Sequence, residues 1–292
     1  MCGIGGIFMP QGEAFPVTEV QEMWTLLEDR GTHASGICYR WNDADKAIVN
    51  KAAKPASEMV DFVQNCQGFN TNYAFFHTRY TTQGSTENNG NNHPVVSQGI
   101  VLTHNGVIRD KPVFNHFNIQ PVHQVDTEAL NVALRHGSTS WLAENISGSV
   151  SIAWVDITQN QEIVHLFTNG GNPLVVARLT SGAVVWASTL QHIEFAGFEV
   201  AHSFNAEPFK QYTLRRNAEG YVVVDSKRVS DQFRQPKIAQ MYRHTASYAS
   251  DVGYTSKKSK KRKETPLEAQ EWAGMYYDSN LKCWKFKKSR RV

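Results

Sequence analysis

Met1-Cys2-Gly3-Ile4-Gly5-Gly6-Ile7-Phe8 opens the chain and carries most of its meaning. Gly3 to Phe8 is a short apolar run that suits a buried strand. Removal of Met1 would make Cys2 the first residue, with a thiol and a free α-amine on one atom framework. A free α-amine has a pKa of about 7.7–8, so near neutral pH much of it is an unprotonated base. It can take the thiol proton directly or through a water, which activates the sulfur for covalent catalysis. The glycines that follow let the backbone approach a substrate closely. Read alone, Cys2 is more often an ordinary buried thiol in a first strand. The rest of the chain reverses that balance.

Beyond this strand, Thr18 to Arg30 reads as a helix. Val20, Met23, Trp24 and Leu27 recur at helical spacing, Thr18 and Gln21 fit a capping box, and Gly31 follows the end. Strands are expected near 35–40, 73–78, 99–104, 150–156, 163–167, 174–179, 184–188 and 221–225. Asp126 or Thr127 can cap a helix running to about His136, and another helix is expected near 57–65. Strands dominate without regular alternation with helices, which argues for an α+β arrangement of layered sheets. Thr81–His93 is a long polar connection of the kind that often carries function.

The 292 residues are 41% hydrophobic and 20% charged, as in an ordinary soluble globular protein. No run of 18 apolar residues predicts a membrane span, and no signal-peptide pattern opens the chain. The four cysteines, Cys2, Cys38, Cys66 and Cys283, include no pair at metal-ligand spacing. No metal or cofactor is expected, and sparse cysteines suit a reducing cytoplasm. The overall charge of +3 is uneven. Residues 257–292 hold 12 Lys+Arg against 4 Asp+Glu, a net of +8, so the first 256 carry −5. Three parts are expected: a catalytic domain over 2–229, a linker with the basic run Lys257–Lys263 over 230–266, and a short aromatic and basic segment over 267–292. Trp272, Tyr276, Tyr277, Trp284 and Phe286 in that last segment suit a small hairpin turning near Ser279-Asn280.

A nucleophile needs a substrate grip and an oxyanion hole. Arg79, in His77-Thr78-Arg79-Tyr80-Thr81-Thr82, has the planar fork that holds a carboxylate through two hydrogen bonds. Asn105 and Gly106, in His104-Asn105-Gly106, can offer a side-chain amide and a backbone N–H to a tetrahedral oxyanion. Asp126, in Asp126-Thr127-Glu128, can meet a substrate ammonium, or simply cap a helix. A carboxylate clamp with an ammonium partner defines an α-amino acid, and a thiol with an oxyanion hole defines attack on an acyl group. Together they describe glutamine.

With these motifs assembled, the chain resembles the class II glutamine amidotransferase domain of the N-terminal-nucleophile hydrolase fold. Cys2-Gly3-Ile4, Arg30-Gly31-Thr32-His33-Ala34-Ser35-Gly36, His77-Thr78-Arg79-Tyr80-Thr81-Thr82, Asn92-His93-Pro94, His104-Asn105-Gly106 and Asp126-Thr127-Glu128 occur in family order. The resemblance spans residues 2 to about 225. It implies a four-layer αββα sandwich with the site between two antiparallel sheets, here followed by a basic C-terminal extension. It implies Cys2 as nucleophile, Asn105 and Gly106 as the oxyanion hole, and Arg79, Tyr80, Thr82 and Asp126 around glutamine. Two positions depart from the usual pattern: His33 replaces Asp in R-G-x-D, and Gln83 stands where His is frequent.

About 65 residues follow the resemblance, too few for the acceptor enzyme that relatives carry. The expectation is a stand-alone glutaminase subunit that passes ammonia to a separate synthetase or transferase. The competing reading is a catalytically silent binding or structural protein that keeps the fold. The basic tail is expected to dock on an acidic partner or on nucleic acid.

Overall fold

A computed structural model of the chain describes residues 1–159 and 161–230, with the backbone of 275–278 and 283–286. In chain order the first elements are β1 (Gly3–Phe8), α1 (Val17–Leu26), β2 (Ala34–Trp41), β3 (Ile48–Ala52), β4 (Thr71–Arg79), β5 (Val95–Ser97) and β6 (Ile100–Ile108). Then come α2 (Lys111–Phe117), α3 (Thr127–Val132), α4 (Thr139–Asn145), β7 (Gly148–Asp156), β8 (Val164–Thr168), β9 (Val175–Leu179) and β10 (Val184–Ala187). The main body ends with α5 (Leu190–Phe195), β11 (Val200–Asn205), β12 (Lys210–Arg216) and β13 (Val222–Arg228).

One sheet runs β11-β9-β10-β1-β4-β2-β3 and the other β13-β12-β8-β7-β6-β5. Every strand pair in both is antiparallel. Side chains alternate between the faces of a strand, and this sorts the apolar residues into three cores. Ile4, Phe8, Tyr73, Phe75 and Trp186 face the second sheet's Val101, Ala153, Leu166 and Leu214. Ile7, Ala74 and Phe76 point the other way, against Val20, Met23, Trp24 and Leu27 of α1 and the turn after it. On the far side of the second sheet, Leu102, Ile152 and Trp154 meet Phe114, Leu130 and Leu142 from α2, α3 and α4. The result is the expected αββα sandwich. β1 sits centrally, between β10 and β4, with all six of its residues buried.

Several local expectations change. Pro16 precedes α1 and no side chain caps it, so the Thr18–Gln21 box does not form. The Gln21 amide instead donates to Val60 O at 3.0 Å. Leu27–Arg30 tightens into a 3₁₀ turn, and the helix expected near 57–65 is 3₁₀ over Ala56–Glu58 and Val60–Cys66. Asp126 precedes α3 without a capping bond, and α3 continues as a π-turn over Ala133–Gly137. By itself, the C-terminal segment pairs β14 (Met275–Asp278) with β15 (Cys283–Phe286) as an antiparallel hairpin, Asp278 opposite Cys283. The basic run 257–263 and the rest of the expected linker after 230 lie outside the described residues.

Candidate active site

Register brings the motifs together. Gly3 pairs with Thr78 on β4, so Cys2, just before β1, comes level with Arg79 at the end of β4. β2 delivers Ala34 to the other side of Arg79. From the second sheet, β6 carries Asn105 and Gly106, paired with Ser151 and Val150 of β7. Cys2, Arg79, Tyr80, Thr82, Gly106 and Asp126 line one cleft. These are six of the seven residues singled out from sequence. Asn105 does not line it. Its side chain is buried beside Gly106, and its Nδ2 finds no hydrogen-bond partner among the described residues.

The Cys2 thiol donates to Tyr80 O at 3.6 Å. Burial raises the thiol above its ordinary pKa, against the lowering pull of that hydrogen bond, the N-terminal ammonium and Arg79. The resting sulfur is therefore a thiol that needs a base, not a ready-made thiolate. Arg30 Nε donates to Cys2 O at 2.9 Å and so fixes the residue from behind.

Arg79 is buried and already engaged. Nη1 donates to Asn92 Oδ1 at 2.7 Å, and Nη2 donates to Gln83 O at 2.5 Å and Gly84 O at 3.0 Å. A guanidinium has five N–H donors, so about two remain for a ligand. The free fork expected from sequence is thus shared with the loop that follows β4. Asp126 Oδ2 accepts the Ile108 N–H at 2.8 Å, which aims the carboxylate along β6 in place of capping α3.

The cleft has further walls: Gln83, His93, His104, Val125 and Thr127. Sequence reasoning assigned none of them a part in the chemistry, although all five lie inside or beside quoted motifs. Buried acceptors dictate the histidine tautomers. His77 Nε2–H donates to His104 O at 3.0 Å, and His104 Nε2–H to Ser149 O at 3.2 Å. His104 Nδ1 is then an acceptor for the Thr127 hydroxyl at 3.1 Å. Thr127 Oγ1 in turn accepts from His93 Nε2 at 2.8 Å. Burial keeps all three rings neutral, with His77 lowered to about 3. The 4.0 Å approach of His104 Nδ1 to Asp126 Oδ1 is accordingly not an ion pair. Among the described residues, no group of three or more His, Cys, Asp or Glu side chains is placed to hold a metal ion.

No known family profile matches the sequence. Curated relatives do. Glutamine–fructose-6-phosphate aminotransferase of Xylella fastidiosa strain Temecula1 is 33% identical over 134 residues, 44% of this chain and 21% of that enzyme. The enzyme of the same name from Bartonella henselae is 27% identical over 183 residues, 61% of this chain and 28% of its own length. The chain thus spans well under a third of these relatives. Among solved structures, glutamine phosphoribosylpyrophosphate amidotransferase from B. subtilis superposes with a TM-score of 0.60 at 21% identity, over 79% of this chain and 50% of that one. The structure of an allosteric regulatory enzyme of purine biosynthesis gives 0.59 over the same shares. Sequence likeness to the first group, the shared sandwich and the ordered motifs together identify a class II glutamine amidotransferase domain in this chain.

Proposed function

We propose that the domain hydrolyses the side-chain amide of glutamine, with Cys2 as nucleophile and its own α-amine, freed by removal of Met1, as base. The observation that carries this reading is the convergence of Cys2, Arg79, Tyr80, Thr82, Gly106 and Asp126 on one cleft from widely separated stretches of chain. The amine takes the thiol proton and Sγ bonds to the amide carbon. The oxyanion that forms is met by Gly106 N–H at the cleft wall and, once the Asn105 side chain turns from its buried position towards it, by Asn105 Nδ2, a donor with no partner among the described residues. Collapse breaks the C–N bond, and the α-ammonium returns its proton to the departing ammonia. A γ-glutamyl thioester remains, which water hydrolyses to glutamate by the same route. The two remaining Arg79 donors hold the α-carboxylate, Asp126 Oδ1 holds the α-ammonium, and Tyr80 and Thr82 close over the substrate.

Free ammonia is mostly protonated at neutral pH, which favours delivery to a docked acceptor. The reading is therefore an amidotransferase domain that hands its ammonia to a synthetase or transferase acceptor. The basic extension, in this reading, supplies a docking segment for an acidic partner.

Purified protein should release glutamate and ammonia from glutamine, and a glutamine-mimicking diazo ketone should label Cys2. Intact mass should show Met1 removed. Cys2→Ala should lose turnover and labelling while keeping its circular dichroism. Labelling at Cys38, Cys66 or Cys283, or no turnover by protein lacking Met1, would overturn the assignment and favour the silent binding reading.

A further inference from the structure

His33 stands immediately before β2, at the position where the motif departs from R-G-x-D. Its backbone N–H donates to Arg79 O at 3.0 Å. Its Nδ1 accepts the backbone N–H of Thr81 at 3.0 Å. Its ring lies against Tyr80, with centroids 4.9 Å apart and planes at 30°. On the same turn, Gly31 approaches the Arg79–Tyr80 backbone so closely that a Cβ there would collide with it. Residues 31–33 and 79–81 therefore run as a matched pair. The exposed imidazole of His33 supplies both the hydrogen-bond acceptor and the ring contact that reach past the end of β4.

We propose that His33 is a positioning residue that sets the affinity of the cleft for glutamine by holding the Tyr80–Thr82 segment in place. The inference rests on the glutamine reading of the cleft. His33 does not line the cleft itself and acts through Thr81 and Tyr80. Its Nδ1 works only as a lone-pair acceptor, so the neutral ring with its proton on Nε2 is the holding form. The segment it holds carries two cleft-lining side chains, Tyr80 and Thr82, and the Tyr80 carbonyl that accepts the Cys2 thiol. A loosened segment would cost binding before it cost chemistry, because Cys2 and the Asn105–Gly106 donors are fixed by the sheets.

Three variants separate the contacts. His33→Ala removes the acceptor and the ring. His33→Phe keeps a ring without the acceptor. His33→Asn places a carbonyl oxygen near the position of Nδ1 and restores the acceptor alone. One net hydrogen bond corresponds to roughly a 3- to 10-fold change in equilibrium. The glutamine KM should rise by about that factor in His33→Ala and His33→Phe, with kcat within about twofold, and should return most of the way in His33→Asn. Amide hydrogen exchange over residues 80–84 should follow the same order, faster in the Ala and Phe variants than in the wild type and Asn variant. That readout needs no turnover, and urea midpoints check that all variants fold. Unchanged exchange in His33→Ala, or failure of Asn to restore protection, would overturn the positioning role. A wild type without glutamine turnover would instead sink the reading on which the inference rests.

Discussion

Arg79 and Asn105 look alike from sequence, each a polar residue at the end of a strand, and the structure separates them. Asn105 Nδ2 is buried with no partner among the described residues, a costly state that a substrate oxyanion would relieve. Asn105→Ala should therefore lower kcat by roughly 100-fold with little change in KM, because the donor acts on charge that exists only in the transition state. Steady-state kinetics on glutamine decide it, and a pure KM effect would reassign Asn105 to ground-state binding. Arg79→Ala should behave differently. The guanidinium ties Asn92, Gln83 and Gly84 together as well as facing the cleft. Its loss should raise KM strongly and also loosen the loop, seen as faster amide exchange over residues 83–92. A KM effect without any change in exchange would mean the loop does not depend on Arg79. From sequence alone only the first half of that expectation is visible, because a side chain's competing partners lie in a loop whose path no local pattern encodes.

At the scale of elements, β1 shows how a strand can be specified by what it lacks. A Cβ at Gly6 would run into the Trp186 ring and lie 2.6 Å from Phe75 Cβ, both fully buried. Gly6→Ala should overpack the intersheet core and destabilise the fold by about 1–3 kcal/mol, read as a lowered urea midpoint. A midpoint equal to wild type would mean that Trp186 can shift at no cost. Legibility followed the same logic. Strands with strict apolar alternation or a continuous apolar run, such as β1, β4 and β7, were readable because burial on known faces leaves a period-two signature. β3, β5 and β11 were not, since they are sheet edges with one buried residue among them, and Lys-Gln-Tyr-Thr-Leu-Arg-Arg hides β12 among charges. The helices α2, α4 and α5, of seven, seven and six residues, are too short to display a helical period. The motifs fared better than the elements because their chemistry, not their periodicity, marked them. His93 and His104 went unassigned, and Thr127 was read only as a possible helix cap, for the opposite reason. Their link is a tautomer chain across three segments, and only the fold brings those segments into contact.

Across the whole molecule, the buried histidines set how the fold responds to acid. His77 is lowered to about 3 and His165 to about 4, in both cases chiefly by burial, and His93 and His104 are lowered as well. In the unfolded chain each returns to about 6.5. Above that value neither state binds the proton, and the histidines contribute no pH dependence. As pH falls below it, the unfolded state gains protons that the folded state refuses, so stability declines progressively towards the folded values near 3 and 4. At pH 5.5 each fully neutral histidine should have cost on the order of 1 kcal/mol. Carboxylates titrate lower, so the window from pH 7 to 5.5 isolates the histidines. His165 offers the cleanest test. It lies on β8, away from the cleft, where Nδ1 accepts from Gln211 Nε2 at 3.1 Å and sits 3.1 Å from Thr213 Oγ1. His165→Gln should flatten the decline in unfolding free energy between pH 7 and 5.5 by about the share of one histidine, whatever it does to stability at pH 7. Urea melts of wild type and variant at both pH values measure it. A wild type whose stability is flat or rises over that window would show that the unfolded chain does not bind the extra protons, and equal slopes in the two proteins would remove His165 from the account.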